Sequence, residues 1–417
     1  MKIIHLNSTD RAGGAARACI DISDALNVIG ADSSLLVQQR LSDRKDIKTT
    51  TNTISQKFVF NIRFWLDYLL IRLLTIKERG RFSFPFWGTD ISNELLIKEA
   101  DIIHLHWINQ GFFSIKTFQQ LSKLKKPIVW TLHDMWAFTG GCHYSLGCKK
   151  YTTECQNCPS LKFNSENDFS HKIFKKKNKI FKNLNINIVT CSKWLAKEAE
   201  KSFLLQNERI ITIPNSIDTD LYRPIDKYIS REKLNLHKDK IIILFGTMTL
   251  SDKRKGFDYL RDTLPNLVKN NPELKQKIEL LVFGSSKVKG WDTIPFKTNF
   301  LGRIPDVSKL VQCYSAADVF VAPSLEDNLP NTVMESLSCG TPVVAFNIGG
   351  MPDMIEHKVN GYLAQPQNKI SLANGIMWVI ENNNKEILSL NARKKVTENF
   401  TPKIVANLYM NFYKSLV

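Results

Sequence analysis

A doubly wound α/β architecture, built twice along the chain, is the fold class that the sequence predicts. Short runs of Val, Ile and Leu alternate with helix-like stretches almost from the first residue, and the alternation restarts near Lys240. Apolar runs of strand length, separated by helical segments, mark parallel strands buried on both faces. The length of 417 residues agrees, because one compact core rarely grows past ~250–300 residues.

In order, the first half reads KIIHL (2–6), a glycine turn, a helix from Ala15 to about Ile29, and SSLLVQ (33–38). DIIHLHW (101–107), PIVWTLH (127–133), INIVTCS (186–192) and RIITIP (209–214) follow. The second half repeats the pattern with KIIILFG (240–246), IELLVFG (278–284), DVFVAPS (318–324) and PVVAF (342–346). Pro, Asn and Asp break the periodicity in 213-IPNSIDTDLYRPIDKY-228, which is therefore the predicted join. Its Asp218-Thr219-Asp220 imitates a metal triplet, but Asp is common in such turns because it hydrogen-bonds its own backbone.

Two segments stand outside the alternation. Residues 57-KFVFNIRFWLDYLLIRLL-74 are apolar and aromatic, but Arg63, Asp67 and Arg72 exclude a membrane-spanning helix. Packing into the core or an inter-domain cleft is expected for them, with an interfacial amphipathic helix as the alternative. Residues 172-KIFKKKNKIFKNLN-185 set six lysines around Ile and Phe, either a solvated helix face or a contact for an anionic surface.

Lys and Arg outnumber Asp and Glu by 57 to 40, a net charge of +17. Residues 1–216 carry 31 basic and 19 acidic side chains, against 26 and 21 in 217–417. A basic first half points to an anionic partner, either a phosphorylated substrate or anionic lipid. No nucleic-acid-binding module accompanies the charge, so nucleic acid is not expected. The opening MKIIHLNST lacks the apolar core of a signal peptide, which makes the cytoplasm the expected location.

Three constellations carry chemistry. Gly13-Gly14 follows the first strand and opens a helix, where backbone N–H groups face a phosphate or a sugar. The pair lacks the G-x-G-x-x-G spacing of a dinucleotide fingerprint. In 251-SDKRKGFDYL-260, Lys253, Arg254 and Lys255 crowd a strand-to-helix turn, where open α/β sheets bind ligands and cations suit a diphosphate. In 322-APSLEDNLPNTVMESLSCGTPVVAFNIGGMPDMI-355, strand, acidic loop, helix, strand and Gly-Gly follow without a break, and Asn331, Thr332 and Val333 start the helix that carries Glu335.

This last segment resembles the acidic signature of retaining glycosyltransferases of family 4, which have the GT-B fold. Gly13-Gly14, His133-Asp134, 191-CSKWL-195, 214-PNSID-218, Lys255-Gly256, the acidic segment and Gly349-Gly350 occur in that family's order. The stretch HDMWAFTGGCHY further resembles enzymes that build bacterial capsule, O-antigen or exopolysaccharide.

The resemblance implies two Rossmann-like doubly wound domains facing across a cleft. They would be an acceptor domain at 1–215, with a Cys-rich insertion at 142–158, and a donor domain at 216–395. A C-terminal helix at 396–417 would pack back on the first domain.

It also implies site roles. Glu335 would hold the ribose hydroxyls of a nucleotide-sugar, and Lys255 with Arg254 would neutralise its diphosphate. Amides at Asn331–Val333, with Gly13 and Gly14, would contact phosphate and sugar. His133 would face the donor sugar, and Gly302, Arg303 and Ile304 would pack on the base. The first acid of the signature falls by register on Asp327, a methylene shorter than the family's Glu, with Glu326 beside it; either contacts sugar hydroxyls. Thr247 stands where the family has an arginine, so Arg254 or Lys253 substitutes.

The implied activity is metal-independent transfer of a sugar from a UDP- or GDP-sugar to a lipid-linked oligosaccharide. The enzyme would associate peripherally with the inner face of the cell membrane. Two alternatives are a non-catalytic sugar-nucleotide scaffold of the same pathway and a zinc hydrolase built from His133, Asp134 and cysteines.

Cys142, Cys148, Cys155 and Cys158 are spaced C-x5-C-x6-C-x2-C. In a reducing compartment such a set favours a structural zinc, with reduced thiols or a disulfide as the other readings. Cys19, Cys191, Cys313 and Cys339 lie in apolar surroundings and read as small core residues.

Overall fold

The computed structural model describes residues 1–11, 13–285 and 290–417, so Ala12 of the glycine turn lies outside the described residues. The chain divides into two compact units, Met1–Ser216 with Pro402–Val417, and Ile217–Thr401.

The first unit is a seven-stranded sheet in the order β3-β2-β1-β4-β5-β6-β7. Its strands are β1 (Lys2–Thr9), β2 (Asp32–Gln39), β3 (Lys48–Thr49), β4 (Ile102–Leu105), β5 (Ile128–Leu132), β6 (Ile186–Thr190) and β7 (Arg209–Thr212). Every pairing is parallel. Side chains alternate between the two faces, as strand geometry requires. Ile4, Leu6, Ile103, Leu105 and Trp130 join one buried cluster, whereas Ile3, Ile22, Ile102 and Val129 join another. The second cluster is completed by the returning helix Pro402–Lys414, through Val405, Ala406, Tyr409, Phe412 and Tyr413.

The second unit repeats the plan with six strands in the order β10-β9-β8-β11-β12-β13. They are β8 (Ile241–Thr249), β9 (Ile278–Ser285), β10 (Lys297–Phe300), β11 (Val319–Ala322), β12 (Val343–Phe346) and β13 (Gly361–Ala364). These pairings are parallel as well. In both units the chain reverses its direction of travel across the sheet, between β1 and β4 and between β8 and β11. Such a reversal opens a crevice at the carboxyl ends of the strands. Short β3, β10 and β13 are strands that the hydrophobic runs did not announce.

The join carries no regular element between β7 and the helix Lys227–Lys233. There Asp218 Oδ1 accepts the N–H groups of Asp220 and Leu221, which is the local role its position indicated.

Packing of residues 57–74 departs from expectation. They form the helix Ile54–Leu74, started by a capping box between Thr53 and Gln56. Leu70, Ile71 and Leu74 pack on Phe82 and Phe84, and Asp67 is buried. The rest of the apolar surface is open: Phe58 and Trp65 are 65% and 64% exposed, and Ile62, Leu66, Leu69 and Leu73 are exposed beside them. Core packing therefore holds for a few residues near its end and not for the helix as a whole. Among the described residues no helix is long and apolar enough to cross a membrane.

The lysine-rich segment is also not uniformly solvated. On the helix Phe169–Phe181, Lys177 is fully buried and donates to the carbonyls of Trp136 and Thr139, with its ammonium 3.7 Å from the Trp136 ring centroid.

Candidate functional site

The expected residues of the second unit gather where β8 and β11 end. Just after β8, the short turn Lys253–Lys255 leads through Gly256 into the helix Phe257–Asn270. Gly256 has φ +73°, and a Cβ there would lie 1.8 Å from the Pro323 carbonyl oxygen. Glycine therefore lets the cationic turn sit directly against the loop that follows β11.

Across that contact, Lys255 Nζ donates to Asp327 Oδ2 at 2.6 Å and Arg254 reaches Oδ1 at 3.1 Å. Arg254 also donates to the Glu326 carbonyl at 2.8 Å, and Ser324 Oγ to Asp327 Oδ2 at 3.1 Å. Burial alone would raise the Asp327 carboxyl. The charges of Lys255 and Arg254, with hydrogen bonds from Lys255 and Ser324, outweigh it and hold the pKa down at about 2. Asp327 is thus the counter-ion of the cations assigned to a diphosphate.

The helix Asn331–Ser338 starts after Pro330 with no side-chain cap. On its buried side Glu335 Oε2 accepts a 2.7 Å hydrogen bond from Tyr314 OH. Gly349 closes the same loop from β12: a Cβ there would lie 1.8 Å from the Asp327 carbonyl, which instead accepts the Gly350 N–H at 3.1 Å. Gly302, Arg303 and Ile304 follow β10 at the same carboxyl edge, and the Gly302 carbonyl accepts the Gly284 N–H at 2.8 Å.

In the first unit, Gly13 has φ +87° and opens the helix Gly13–Val28 directly after β1. His133 follows β5, and a small cavity there is lined by His106, Trp107, Asn109, Trp130, His133 and Asp134, among others. Both ring nitrogens of His133 face protein groups. Nε2 lies 3.1 Å from His106 Nδ1, and Nδ1 lies 3.6 Å from Cys191 Sγ. Cys191 in turn reaches Asn215 Oδ1 at 3.1 Å. Three separate motifs, HD, CSKWL and PNSID, therefore converge on one imidazole.

Behind it lies a chain that the sequence reading missed. His106 Nε2 is 3.0 Å from His5 Nδ1, and His104 bridges Thr131 and Tyr413 at 2.7 Å on each side. Burial holds these rings neutral: it lowers the pKa of His5 to about 3 and of His133 to about 4, the latter opposed by Asp134. His104 and His106 are also lowered by burial. Neutral rings in a row share one proton per N···N contact, so the tautomers of His5, His106 and His133 are set together, all donating in one direction along the row or all in the other. The spacing of two between His104 and His106 already placed both on one face of a strand. Their partner His5 becomes visible only once β1 is known to lie beside β4.

Asp134 has a different role from its neighbour. It accepts hydrogen bonds from Trp107 Nε1 at 3.1 Å and the Trp136 N–H at 2.9 Å, and pairs with His143 Nδ1 at 2.6 Å. His143 is held on its other side by Ser83 Oγ at 2.8 Å. Asp134 and His143 thereby tie the two ends of the stretch HDMWAFTGGCH together. Cys142, Cys148, Cys155 and Cys158 line a second cavity that shares no residue with the first. Among the described residues, only His5, Cys19 and His106 form a group of three ligand-type side chains with atoms within 4.8 Å of one another. The metal centre of His133, Asp134 and cysteines that a hydrolase requires is not assembled.

Comparison with known proteins places this geometry. A model described as Glycosyltransferase Family 4 matches residues 12–221, just over half of the chain. The chain belongs to glycosyltransferase family 4. A second model, Glycosyl transferases group 1, matches residues 239–382, which contain Lys255, Asp327 and Glu335. WcaC of Escherichia coli (strain K12), a glycosyl transferase provisionally assigned to colanic acid biosynthesis, is 25% identical over 85% of each chain. An uncharacterized glycosyltransferase of Methanocaldococcus jannaschii, MJ1607, is 28% identical over 54% of this chain and 59% of its own length. This chain thus spans less than two thirds of one of these relatives and most of the other.

Among solved structures, HepE of Anabaena in complex with UDP matches over the full length of both chains, with TM-score 0.65 and 19% identity. WaaG, a glycosyltransferase involved in lipopolysaccharide biosynthesis, matches with TM-score 0.60 and 15% identity over 97% of this chain and 99% of its own. At these identities the likeness concerns the fold.

Proposed function

We propose that the protein is a retaining glycosyltransferase that moves a sugar from a UDP- or GDP-sugar to a lipid-linked oligosaccharide of a bacterial surface polysaccharide. The observation that carries this reading is the pair Lys255 and Arg254, clamped on Asp327 at the switch point of a unit matched by a glycosyltransferase model. Cations fixed at that point suit the diphosphate of a donor. A relative fold crystallised with UDP-glucose, that of HepE, supports the donor class.

In the proposed reaction the bond between the anomeric carbon and the diphosphate oxygen breaks, and its electron pair stays on the diphosphate. Lys255 and Arg254 stabilise that negative charge, so no metal is needed for it. The acceptor hydroxyl attacks from the face the diphosphate leaves, and its proton passes to a departing phosphate oxygen. Glu335 holds the ribose, and the amides at Asn331–Val333 and Gly13-Gly14 meet phosphate and sugar. Gly302, Arg303 and Ile304 pack on the base. His133, kept neutral by burial and with its tautomer tied to that of His106, orients the sugar and does not act as a nucleophile.

The acceptor is assigned to the membrane surface on account of the helix Ile54–Leu74. Its open face combines Phe58, Ile62, Trp65 and Leu69 with exposed Lys57 and Arg72, in a half of the chain with 12 excess positive charges (31 less 19). Aromatic and apolar groups beside cations fit an anionic lipid interface.

The test is turnover of a donor-sugar panel with membrane extract as acceptor, reading nucleotide release and the anomeric configuration of the product. Transfer with retention, undiminished by EDTA while the fold persists, is expected. Binding without transfer by any donor would favour the scaffold reading.

A further inference from the structure

Between the turn Trp136–Phe138 and the helix Phe169–Phe181 the chain runs through residues 139–168, with one three-residue 3-10 turn as its regular structure. A stretch of that length rarely holds its shape without an added constraint. Four cysteines in it, Cys142, Cys148, Cys155 and Cys158, line one cavity. Cys142 Sγ and Cys158 Sγ stand 3.9 Å apart. A tetrahedral ion with metal–sulfur bonds of ~2.3 Å places its thiolates ~3.8 Å from one another, whereas a disulfide needs ~2.05 Å.

Two further observations concern the surroundings. The Gly140 N–H donates to Cys155 Sγ at 3.2 Å, the kind of backbone bond that settles a metal thiolate. Glycine is required there, since a Cβ on Gly140 would lie 2.9 Å from Cys155 Cβ and 2.6 Å from the Ser170 carbonyl. The second is charge. Lys177 is fully buried behind the lobe, its ammonium bonded to the carbonyls of Trp136 and Thr139. No ion pair is found for it among the described residues, and the Asp134 carboxylate in its field is already taken up by His143, Trp107 and Trp136. Zinc held by four thiolates carries two negative charges, which supplies the compensation a buried ammonium requires.

We propose that Cys142, Cys148, Cys155 and Cys158 hold a structural zinc ion that staples residues 139–168 beside the His133 strand. Cys142 and Cys158 form the edge already at tetrahedral spacing, whereas no three of the four thiols yet lie within 4.8 Å of one another, so Cys148 and Cys155, on the wall of the same cavity, must turn inward to close the set. Four protein ligands leave no open position, so the ion takes no part in sugar transfer. His143 is not a ligand, because Asp134 and Ser83 occupy both its nitrogens. The site does not depend on the glycosyltransferase reading.

The test is elemental analysis of the full chain purified without chelator, followed by zinc release with a mercurial thiol reagent. About one zinc per chain is expected, released as four thiols react. The Cys148→Ser variant is expected to hold the ion at least tenfold more weakly. Cys313→Ala, in the other unit, should retain it fully. Because Cys148→Ser can fail to fold, the same measurement on wild-type protein decides the matter. Folded protein with less than about a tenth of an equivalent of zinc overturns the proposal, whether its thiols are free or a Cys142–Cys158 disulfide is found by mass spectrometry.

Discussion

Lys255 donates to Asp327 at 2.6 Å, and Arg254 occupies the other carboxylate oxygen at 3.1 Å. A carboxylate in this place keeps two cations fixed at the end of β8 before any ligand arrives. Removing its charge leaves both cations without their buried partner. Asp327→Asn is expected to lower unfolding stability by roughly 2 kcal/mol at pH 7, measured by urea denaturation. UDP should recover more stability in this variant than in wild type, since a diphosphate replaces the missing charge. Equal stability in the two proteins would show that the ion pair is incidental.

The buried histidines set the response to acid. His5 and His133 are held at about 3 and about 4, below the usual 6.5, mainly by burial. The unfolded chain therefore takes up protons below pH ~6.5 that the native protein refuses until near pH 3–4. Stability contributed by the neutral rings is present above pH ~6.5 and is lost as pH falls through 6 and 5, by ~1.4 kcal/mol per pH unit for each ring. Asp327, at about 2, adds a further loss only below pH ~4. His5→Phe should flatten the slope between pH 6 and 5 by one ring's share; urea midpoints that do not change over this range would refute the reading.

Glu335 and Tyr314 separate ligand binding from support. Glu335→Ala should weaken nucleotide-sugar affinity at least tenfold, with near-native circular dichroism. Tyr314→Phe removes only the 2.7 Å hydrogen bond to Glu335 and should cost ~1 kcal/mol in stability with a smaller loss of affinity. Calorimetric titration of both variants checks the order, and the reverse order would move the ribose contact away from Glu335.

Exposed apolar groups on the helix Ile54–Leu74 predict membrane partition. Wild-type protein should bind vesicles containing anionic lipid, less so as salt rises. Phe58→Ser with Trp65→Ser should reduce co-sedimentation at least fivefold without changing the melting temperature. Self-association in place of vesicle binding, seen by sedimentation velocity, would assign the face to a second copy.

Much of this arrangement is legible along the chain. Runs such as KIIILFG and IELLVFG announce central parallel strands because both faces of those strands are buried. The order of Gly13-Gly14, His133, Lys255, Glu335 and Gly349-Gly350 points to the family before any contact is known. What the sequence hides are contacts made across the sheet order. His5 meets His106 because β1 lies between β2 and β4, and 101 residues of sequence separate the two. Lys177 looks like its solvated neighbours, yet its helix turns it inward under Trp136. The helix Ile54–Leu74 has the composition of a buried element, and composition alone does not say what covers it. Asp327 reads as a sugar contact by register, and its pairing with Lys255 and Arg254 is a further role that only the contacts reveal.

Nucleotide-sugar recognition by Lys255 and Glu335 is measured most directly by donor-induced thermal stabilisation. A panel of UDP- and GDP-sugars at a hundredfold excess over Kd should include one that stabilises the wild-type protein by ~2.7 kcal/mol. The shift should collapse in Lys255→Ala and in Glu335→Ala. Failure of every donor in the panel to raise the melting temperature, or an undiminished shift in both variants, would contradict the assignment.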